Sequence, residues 1–504
     1  MTPSKRRSGP PQSGPARELI DSGFALENAD APYLHDGLNL ADIAHVLDLL
    51  RRQIVPPPAA SDLLRLLLEV QKMPAEDFPY DPEFGEPYNS RERFFVERLG
   101  KTAGWLHAGR PRREAARIAL RLYVRDQLLT LVHEVVRFAR DTTALAARHV
   151  DTLMPDQTYL QQAQPSTFGH YVLSFAYPAM RDAHRLLDEF EDINRSPAGA
   201  GCVNGTRLLD DRRFVATALG FSEVIEHTRD AMWQIDGLIH VLASASSLLS
   251  TQSKLAEDLE IWSSTEFDFV DLADPFTRSS ILMPQKRNPY SLSIVRGASG
   301  VLIGRATGFL AVAKSPSARS DNLIFAYGEV PRALDLAIRV TRLMTGVVRT
   351  LEVNSERMAH GLDDGYTQAT DLSEFIVQQC GVDYRSSYNV VGRTVRDASR
   401  AGIPGRHITG AMLDQAAIAE TGEPWGLAAM DLTTTLDPRS IIESRKSTGG
   451  AAPTAVMSMI DRCQQEAHDL ATAVGQRRQM LDDAEQHLLE RATLTARELE
   501  VTDG

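Results

Sequence analysis

At 504 residues and 55.6 kDa the chain exceeds the size at which a single core keeps growing, so two or three domains around one large body are expected. A net charge of −13 and a pI near 5.5 argue against nucleic acid or an anionic membrane as partner, because phosphate groups are bound by clustered basic surface. Three scattered cysteines, Cys202, Cys380 and Cys463, without CxxC or HExxH spacing, point to a reducing cytoplasm and away from a thiolate or histidine metal site.

The opening stretch "MTPSKRRSGPPQSGPAR" is polar and rich in Pro, Ser and Gly, and predicts a disordered leader over 1–30. It carries no secretory h-region, and no run of eighteen apolar residues occurs anywhere. A helical N-terminal domain over 31–113 is expected next, with Ser61 placed to cap "DLLRLLLEVQ" after the break "VPPPAAS". From Glu114 to Met154 there is neither glycine nor proline, and apolar residues recur at three- and four-residue steps. Such a segment, helical for most of its length, spans roughly 50 Å at about 1.5 Å per residue. Phe221 to Thr265, interrupted only by Gly237, and the stretches 291–314 and 328–353 repeat that pattern, whereas alternating strand patterns are nearly absent. Helices well above the usual ~11 residues bury their apolar stripes most economically in a bundle. The expected class is therefore all-α, with a central long-helix bundle over 114–367 and a C-terminal helical domain over 368–504.

The chemistry concentrates in "SSILMPQKRNPYSLSIVRG", residues 279–297. Pro284 and Pro289 forbid a regular helix through "MPQKRNP", so this is a loop feeding the helix that follows. A serine near a lysine ammonium can act as a base, because the cation favours the charged form, and the lysine can also hold an enolised carboxylate. The helix N-terminus adds partial positive charge. Taken by residue type alone, the same stretch reads equally well as a solvated polar loop.

"SSILMPQKRNP" resembles the signature loop of the fumarase/aspartase superfamily, GSSxMPxKxN, and its MPQKxNP form resembles the argininosuccinate lyase branch. "LHAGRPRRE" is similar to that branch's LHTGRSRND, "TYLQQAQP" to its THLQxAQP, and "LDPRSIIESRKSTGGAAP" to its C-terminal segment. The resemblance implies a three-domain helical subunit and a homotetramer with active sites assembled from three subunits. It also implies a small carboxylate substrate of succinyl type, anti elimination of an amine or hydroxide, usually with release of fumarate, and no metal or organic cofactor. On this resemblance Ser280 falls on the catalytic base, Lys286 on the carboxylate-stabilising lysine and Asn288 on the asparagine two beyond it. Thr158 and Gln164 match positions that contact substrate or shape its site, and His107 lies beside the GR motif as a site-wall residue.

The departures carry physical content. Tyr159 stands where the family has the histidine of its proton-donating relay, Ser293 where that histidine's glutamate partner belongs, and Tyr88 where a site histidine is often found. A tyrosine, titrating near ~10, cannot cycle protons at neutrality as an imidazole does, yet it can donate one hydrogen bond or one proton. "GRPRRE" replaces GRSRND, keeping Arg110 and Arg112 as candidate carboxylate clamps and adding Arg113 and Glu114. Tyr327 stands where a glutamine of the guanidinium-recognition segment would sit. Two classes of function follow: a carbon–nitrogen lyase acting on a succinyl or aspartate adduct in specialised metabolism, or a non-catalytic structural or regulatory tetramer. A third possibility, within enzymes, is another leaving group such as nitrite, or cycloisomerisation.

Overall fold

The computed structural model describes residues 14–314, 324–363 and 365–502. Its N-terminal region contains α1 (Ala31–Arg51), α2 (Pro57–Val70) and α3 (Pro87–Leu99), packed around Ile43, Leu49, Leu63, Leu67 and Phe95. Helix α2 starts at Pro57 and not beyond Ser61, because proline's fixed φ suits the first helical turn. Ser61 is instead an interior, buried residue whose Oγ donates to the Ala496 carbonyl at 3.1 Å. The expected leader also needs correction: Arg17–Leu19, Ile20–Phe24 and Ala25–Ala29 form consecutive helical turns. Residues 1–13 lie outside the described residues. Distant partners order this segment. Asn28 Nδ2 donates to the carbonyls of Phe24 and Gly85, and Asp30 accepts from Arg332 at 2.6 Å across 302 positions of sequence.

The central bundle is built on α4 (Arg112–Arg148), with 37 residues spanning about 55 Å at ~1.5 Å each. It ends six residues before Met154, whose helical conformation is disfavoured by the following Pro155. The chain there enters a hairpin, β1 (Leu153–Thr158) and β2 (Gln161–Thr167), in which Pro155 faces Pro165. A two-stranded ribbon has only edges, so proline is tolerated, and the prolines and polar residues erase the alternation that would have announced a strand. Around α4 stand α5 (Ala176–Ile193) and α6 (Asp236–Trp262). A short strand pair, β3 (Arg278–Ser279) and β4 (Arg287–Asn288), then leads into α7 (Tyr290–Ala313) and α8 (Glu329–Thr350). Leu128, Phe138, Leu249, Leu302 and Leu334 are fully buried in its core, each worth roughly 1.5–3 kcal/mol of transfer free energy.

Helices α9 (Ala369–Cys380), α10 (Tyr384–Arg400) and α11 (Gly410–Thr421) enclose a small separate core of Leu372, Ile376, Leu413 and Leu427. The 50-residue α12 (Pro453–Thr502) does not join them. Its Val456, Ile460, Leu470 and Leu481 enter the bundle core, and its Leu488, Ala492 and Ala496 enter the N-terminal core. The expected unit 368–504 is thus divided, because the apolar stripe of α12 finds its mates hundreds of residues upstream. No helix among the described residues is long and apolar enough to cross a membrane.

Candidate active site

The loop 280–286 is held at its base by the β3–β4 pair, with Arg278 opposite Asn288 and Ser279 opposite Arg287. Arg287 fastens that base, donating to Asp271 at 2.6 Å, Asp274 at 2.8 Å and the Leu272 carbonyl at 2.9 Å. Asn288 Nδ2 donates to the Arg278 carbonyl at 2.8 Å, so the amide closes the loop and keeps its oxygen and one N–H for a ligand. Ser280 Oγ accepts from the amide N–H groups of Leu282 at 3.3 Å and Met283 at 3.0 Å. Two donors aimed at one hydroxyl oxygen favour its charged form, a property required of a base. Lys286 is exposed, and its side chain engages no described residue. Ile281 and Leu282 stand out into solvent at 107 % and 85 % relative exposure, an apolar tip that this subunit alone leaves bare.

The hairpin places Thr158 and Tyr159 at a second exposed point, with the exposed Gln164 further down the ribbon opposite Asp156. Tyr159 is 99 % exposed, and both Tyr159 and Leu160 adopt left-handed backbone, with φ of 56° and 58°. For residues with a Cβ this costs about 1–2 kcal/mol each, so the tip is strained, as turns that aim a functional side chain often are. Gln162 Nε2 pins the ribbon to the Gly361 carbonyl at 2.7 Å.

A third set of residues surrounds a cavity of about 390 Å³ between α1, α3, α4 and the start of α8. Tyr88, Arg112, Arg113 and Tyr327 line it, and so do Asn89, Arg117 and the N-terminal Phe24 and Asp30, which residue patterns alone did not single out. Neither Ser280 nor Tyr159 contributes to its wall. Arg112 contacts Glu86 and donates to Asn89 Oδ1 at 3.2 Å. Arg113 lies over the Trp233 ring at 5.7 Å, and Arg117 over the Tyr327 ring at 3.8 Å.

Arg110, expected as a carboxylate clamp, is corrected to an internal role. It is buried, and it donates to the Asp42 carboxylate, to the Ala41 carbonyl at 3.0 Å and to the Tyr88 hydroxyl at 2.8 Å. Tyr88 in turn donates to Asp42 at 2.9 Å, and Arg91 supplies Asp42 with a further bond at 2.8 Å. Burial raises the Tyr88 phenol far above its ordinary range, and its hydroxyl is committed to Asp42 and Arg110. Burial would also raise Asp42, but Arg110 and Arg91 outweigh it and hold the carboxyl below its usual range. His107 stands edge-on to Tyr88 with its Nε2 3.2 Å from Glu92, and it is not among the cavity-lining residues. Glu114, too, turns away from the cavity, accepting from the amides of Gly199 and Gly201 at 2.7 Å each. Burial nevertheless pushes its carboxyl up to about 7.

At the position of the missing glutamate, Ser293 donates to Glu260 of α6 at 3.1 Å, and Arg296 pairs with the same carboxylate at 2.5 Å. A carboxylate is therefore present beside position 293, supplied by a neighbouring helix and already neutralised. Among the described residues no group of three or more His, Cys, Asp or Glu is placed to hold a metal ion.

Comparison with known proteins agrees with this geometry. A family profile described as lyase matches residues 85–304, and one described as argininosuccinate lyase C-terminal matches residues 366–443. The argininosuccinate lyase of Methanothrix thermoacetophila is 31 % identical over 90 % of this chain and 91 % of its own. That of Oceanobacillus iheyensis is 29 % identical, over 89 % and 96 %. Among solved structures, EDDS lyase in complex with formate superimposes with a TM-score of 0.86 at 28 % identity, covering 97 % of both chains. An EDDS lyase variant with bound fumarate gives the same values. The 3-carboxy-cis,cis-muconate lactonizing enzyme of Pseudomonas putida, at 20 % identity and a TM-score of 0.69, covering 89 % of this chain and all of its own, shares the fold alone.

Proposed function

We propose, for a chain that belongs to the argininosuccinate lyase-like branch of the fumarase/aspartase superfamily and is a carbon–nitrogen lyase releasing fumarate, that its substrate is an N-substituted aspartate other than argininosuccinate. The observation that carries the chemistry is the Ser280 hydroxyl, held by two amide donors on an exposed loop that also bears Lys286. Ser280 takes the proton from the carbon next to one carboxylate. The charge left behind spreads into that carboxylate, which Lys286 stabilises, and the C–N electron pair then departs with the amine as the C=C bond of fumarate forms. The leaving nitrogen takes its proton from Tyr159 or from water. Thr158, Gln164 and the remaining N–H of the Asn288 amide orient the succinyl half.

The three sets of residues come together in a homotetramer, each subunit supplying one set to a shared site. Two features support this. The loop and the hairpin tip are exposed and absent from the cavity wall, and the outer face of α7 is bare. On that face Ile294, Val301, Ile303 and Leu310 are exposed, and a Cβ built on Gly297, Gly300, Gly304 or Gly308 would meet nothing within 4 Å. Small residues on an apolar stripe let a second helix approach closely. The three free cysteines suit a cytoplasmic enzyme.

Against argininosuccinate stand the rebuilt residues of the cavity, where Arg113 and Arg117 would repel a guanidinium leaving group and Tyr327 replaces a polar amide. The non-catalytic, nitrite-releasing and cycloisomerising alternatives draw no support from the relatives, which are carbon–nitrogen lyases at the level where identity exceeds a quarter. The test is fumarate release, followed by absorbance, from a panel of N-substituted aspartates. Lys286→Met should lower kcat by about 10²-fold, the scale of one lost donor to a developing oxyanion. A change confined to KM would make Lys286 a ground-state contact.

A further inference from the structure

The face of α4 that borders the cavity carries Arg113, Arg117 and Arg121 at four-residue steps. Arg121 is satisfied by the carbonyls of Asp192 and Ile193 at the C-terminal end of α5, both at 3.1 Å. Arg117 is not satisfied in the same way. Its Nε donates to the Met232 carbonyl at 3.3 Å, its guanidinium lies flat on the Tyr327 ring, and no carboxylate among the described residues stands at ion-pairing distance. Of the acidic residues in the cavity wall, Asp30 is taken by Arg332 and Glu86 by Arg112, and Glu27 is the third. Burial, with Arg113 adding like charge, pulls Arg117 below its ordinary pKa, as expected of a guanidinium removed from water without a counter-ion. The Tyr327 hydroxyl is likewise shielded from solvent and has no hydrogen-bond partner among the described residues. Both groups line the cavity, whose wall also carries the apolar side chains of Phe24, Leu34, Leu38, Ala116, Leu120 and Pro331 beside the polar groups already named.

A half-buried guanidinium whose terminal nitrogens meet no carboxylate among the described residues, a shielded hydroxyl beside it and an apolar stretch of wall together suit an anion carried on an apolar body. We infer that the amine released by this lyase carries a carboxylate on an apolar body, the carboxylate seated on Arg117 and Tyr327. This rests on the lyase reading above and names its substrate class. The succinyl half would leave the apolar wall unused, having only two carbons between its carboxylates, whereas an apolar amino acid fills it.

The test runs the reaction in reverse. The enzyme is supplied with fumarate and paired amines, 4-(aminomethyl)benzoate against benzylamine and 4-aminobutyrate against butylamine, and fumarate consumption is followed. Wild type should favour the carboxylate-bearing member of each pair by ~10- to 100-fold in kcat/KM, the range of one charged hydrogen-bonded contact. Arg117→Met should abolish that preference, lowering kcat/KM for the carboxylate-bearing members by ~10-fold or more beyond any loss on the neutral amines, and Arg117→Lys, which keeps charge but loses the fork, should restore part of it. Tyr327→Phe should weaken the preference less. Thermal melts and solution mass confirm that each variant is folded. Addition of amines without such preference, or equal losses for both members of a pair in Arg117→Met, would overturn the inference while leaving the lyase intact, the latter assigning Arg117 to the succinyl half. Failure of every amine to add, together with no fumarate from any N-substituted aspartate, would overturn the lyase reading and this inference with it.

Discussion

The Asp42 network and the Ser280 loop show two opposite ways of committing polar side chains. Around Asp42, Arg91, Arg110 and Tyr88 satisfy one another in a closed, buried set beside the cavity. At the loop, Ser280 is held only by the neighbouring backbone, Lys286 is exposed, and Ile281 and Leu282 are uncovered. The first arrangement is complete within one chain and can only position its surroundings. The second leaves its side chains uncovered, and on the proposed function it is the one that does the chemistry. Residues from the same family motif fall on both sides of this line, so motif membership does not establish substrate contact. Arg110 and Arg113 are three positions apart, yet only Arg113 reaches the cavity.

Four substitutions probe that contrast, in order of expected effect. Ser280→Ala should lower fumarate production by about 10³-fold or more, as loss of a general base does. The melting temperature and solution mass should stay unchanged, since the side chain only caps an exposed turn. A mutant of near-normal rate would remove Ser280 from the mechanism. Asp42→Ala does the reverse. It strands two buried guanidiniums and should cost 3–5 kcal/mol of stability by denaturant titration, whatever it does to turnover. Loss of activity in a fully stable protein would place Asp42 in the catalytic site.

Glu114 offers a pH signature. Its raised carboxyl keeps in the folded state a proton that the unfolded chain has lost, so its contribution to stability falls as pH rises from about 4.5 to about 7. Glu114→Gln cannot titrate. Measured against it across that window, the wild type should lose on the order of 3 kcal/mol of relative unfolding free energy. A constant difference would mean that the two glycine amides keep the carboxylate ionised throughout. The smallest change is at the hairpin tip, where Leu160→Gly removes the Cβ from a left-handed residue and should stabilise the subunit by about 1 kcal/mol. A destabilised variant would show that the leucine side chain has a packing role there.

Much of this was legible in the sequence. The long helices announced themselves through their 3.6-residue periodicity, and Pro284 and Pro289 marked the loop before α7. What escaped depends on partners far away in the chain. The segment 17–29 looked unstructured because nothing local orders it, while Asp30 finds Arg332 and Asn28 finds Gly85. Helix α12 belongs to the bundle for reasons no window around residue 460 contains. Arg117 carried no signal in a helix rich in arginine, and its importance rests on what it lacks, a carboxylate partner. The inward turn of Arg110 and Tyr88 was hidden for a similar reason, since Asp42 lies 68 and 46 positions from them.

The central claim is that the proton-abstracting machinery is retained at the loop while recognition of the amine half has been rebuilt at the cavity. Fumarate release from argininosuccinate tests it most directly, measured side by side for wild type and for Tyr159→His combined with Ser293→Glu. The account predicts little or no release from either protein, because the double variant restores the relay pair but leaves Arg113, Arg117 and Tyr327 facing the leaving group. Robust release by wild type would contradict it, and release by the double variant alone would show that the relay, not the cavity, had been the barrier.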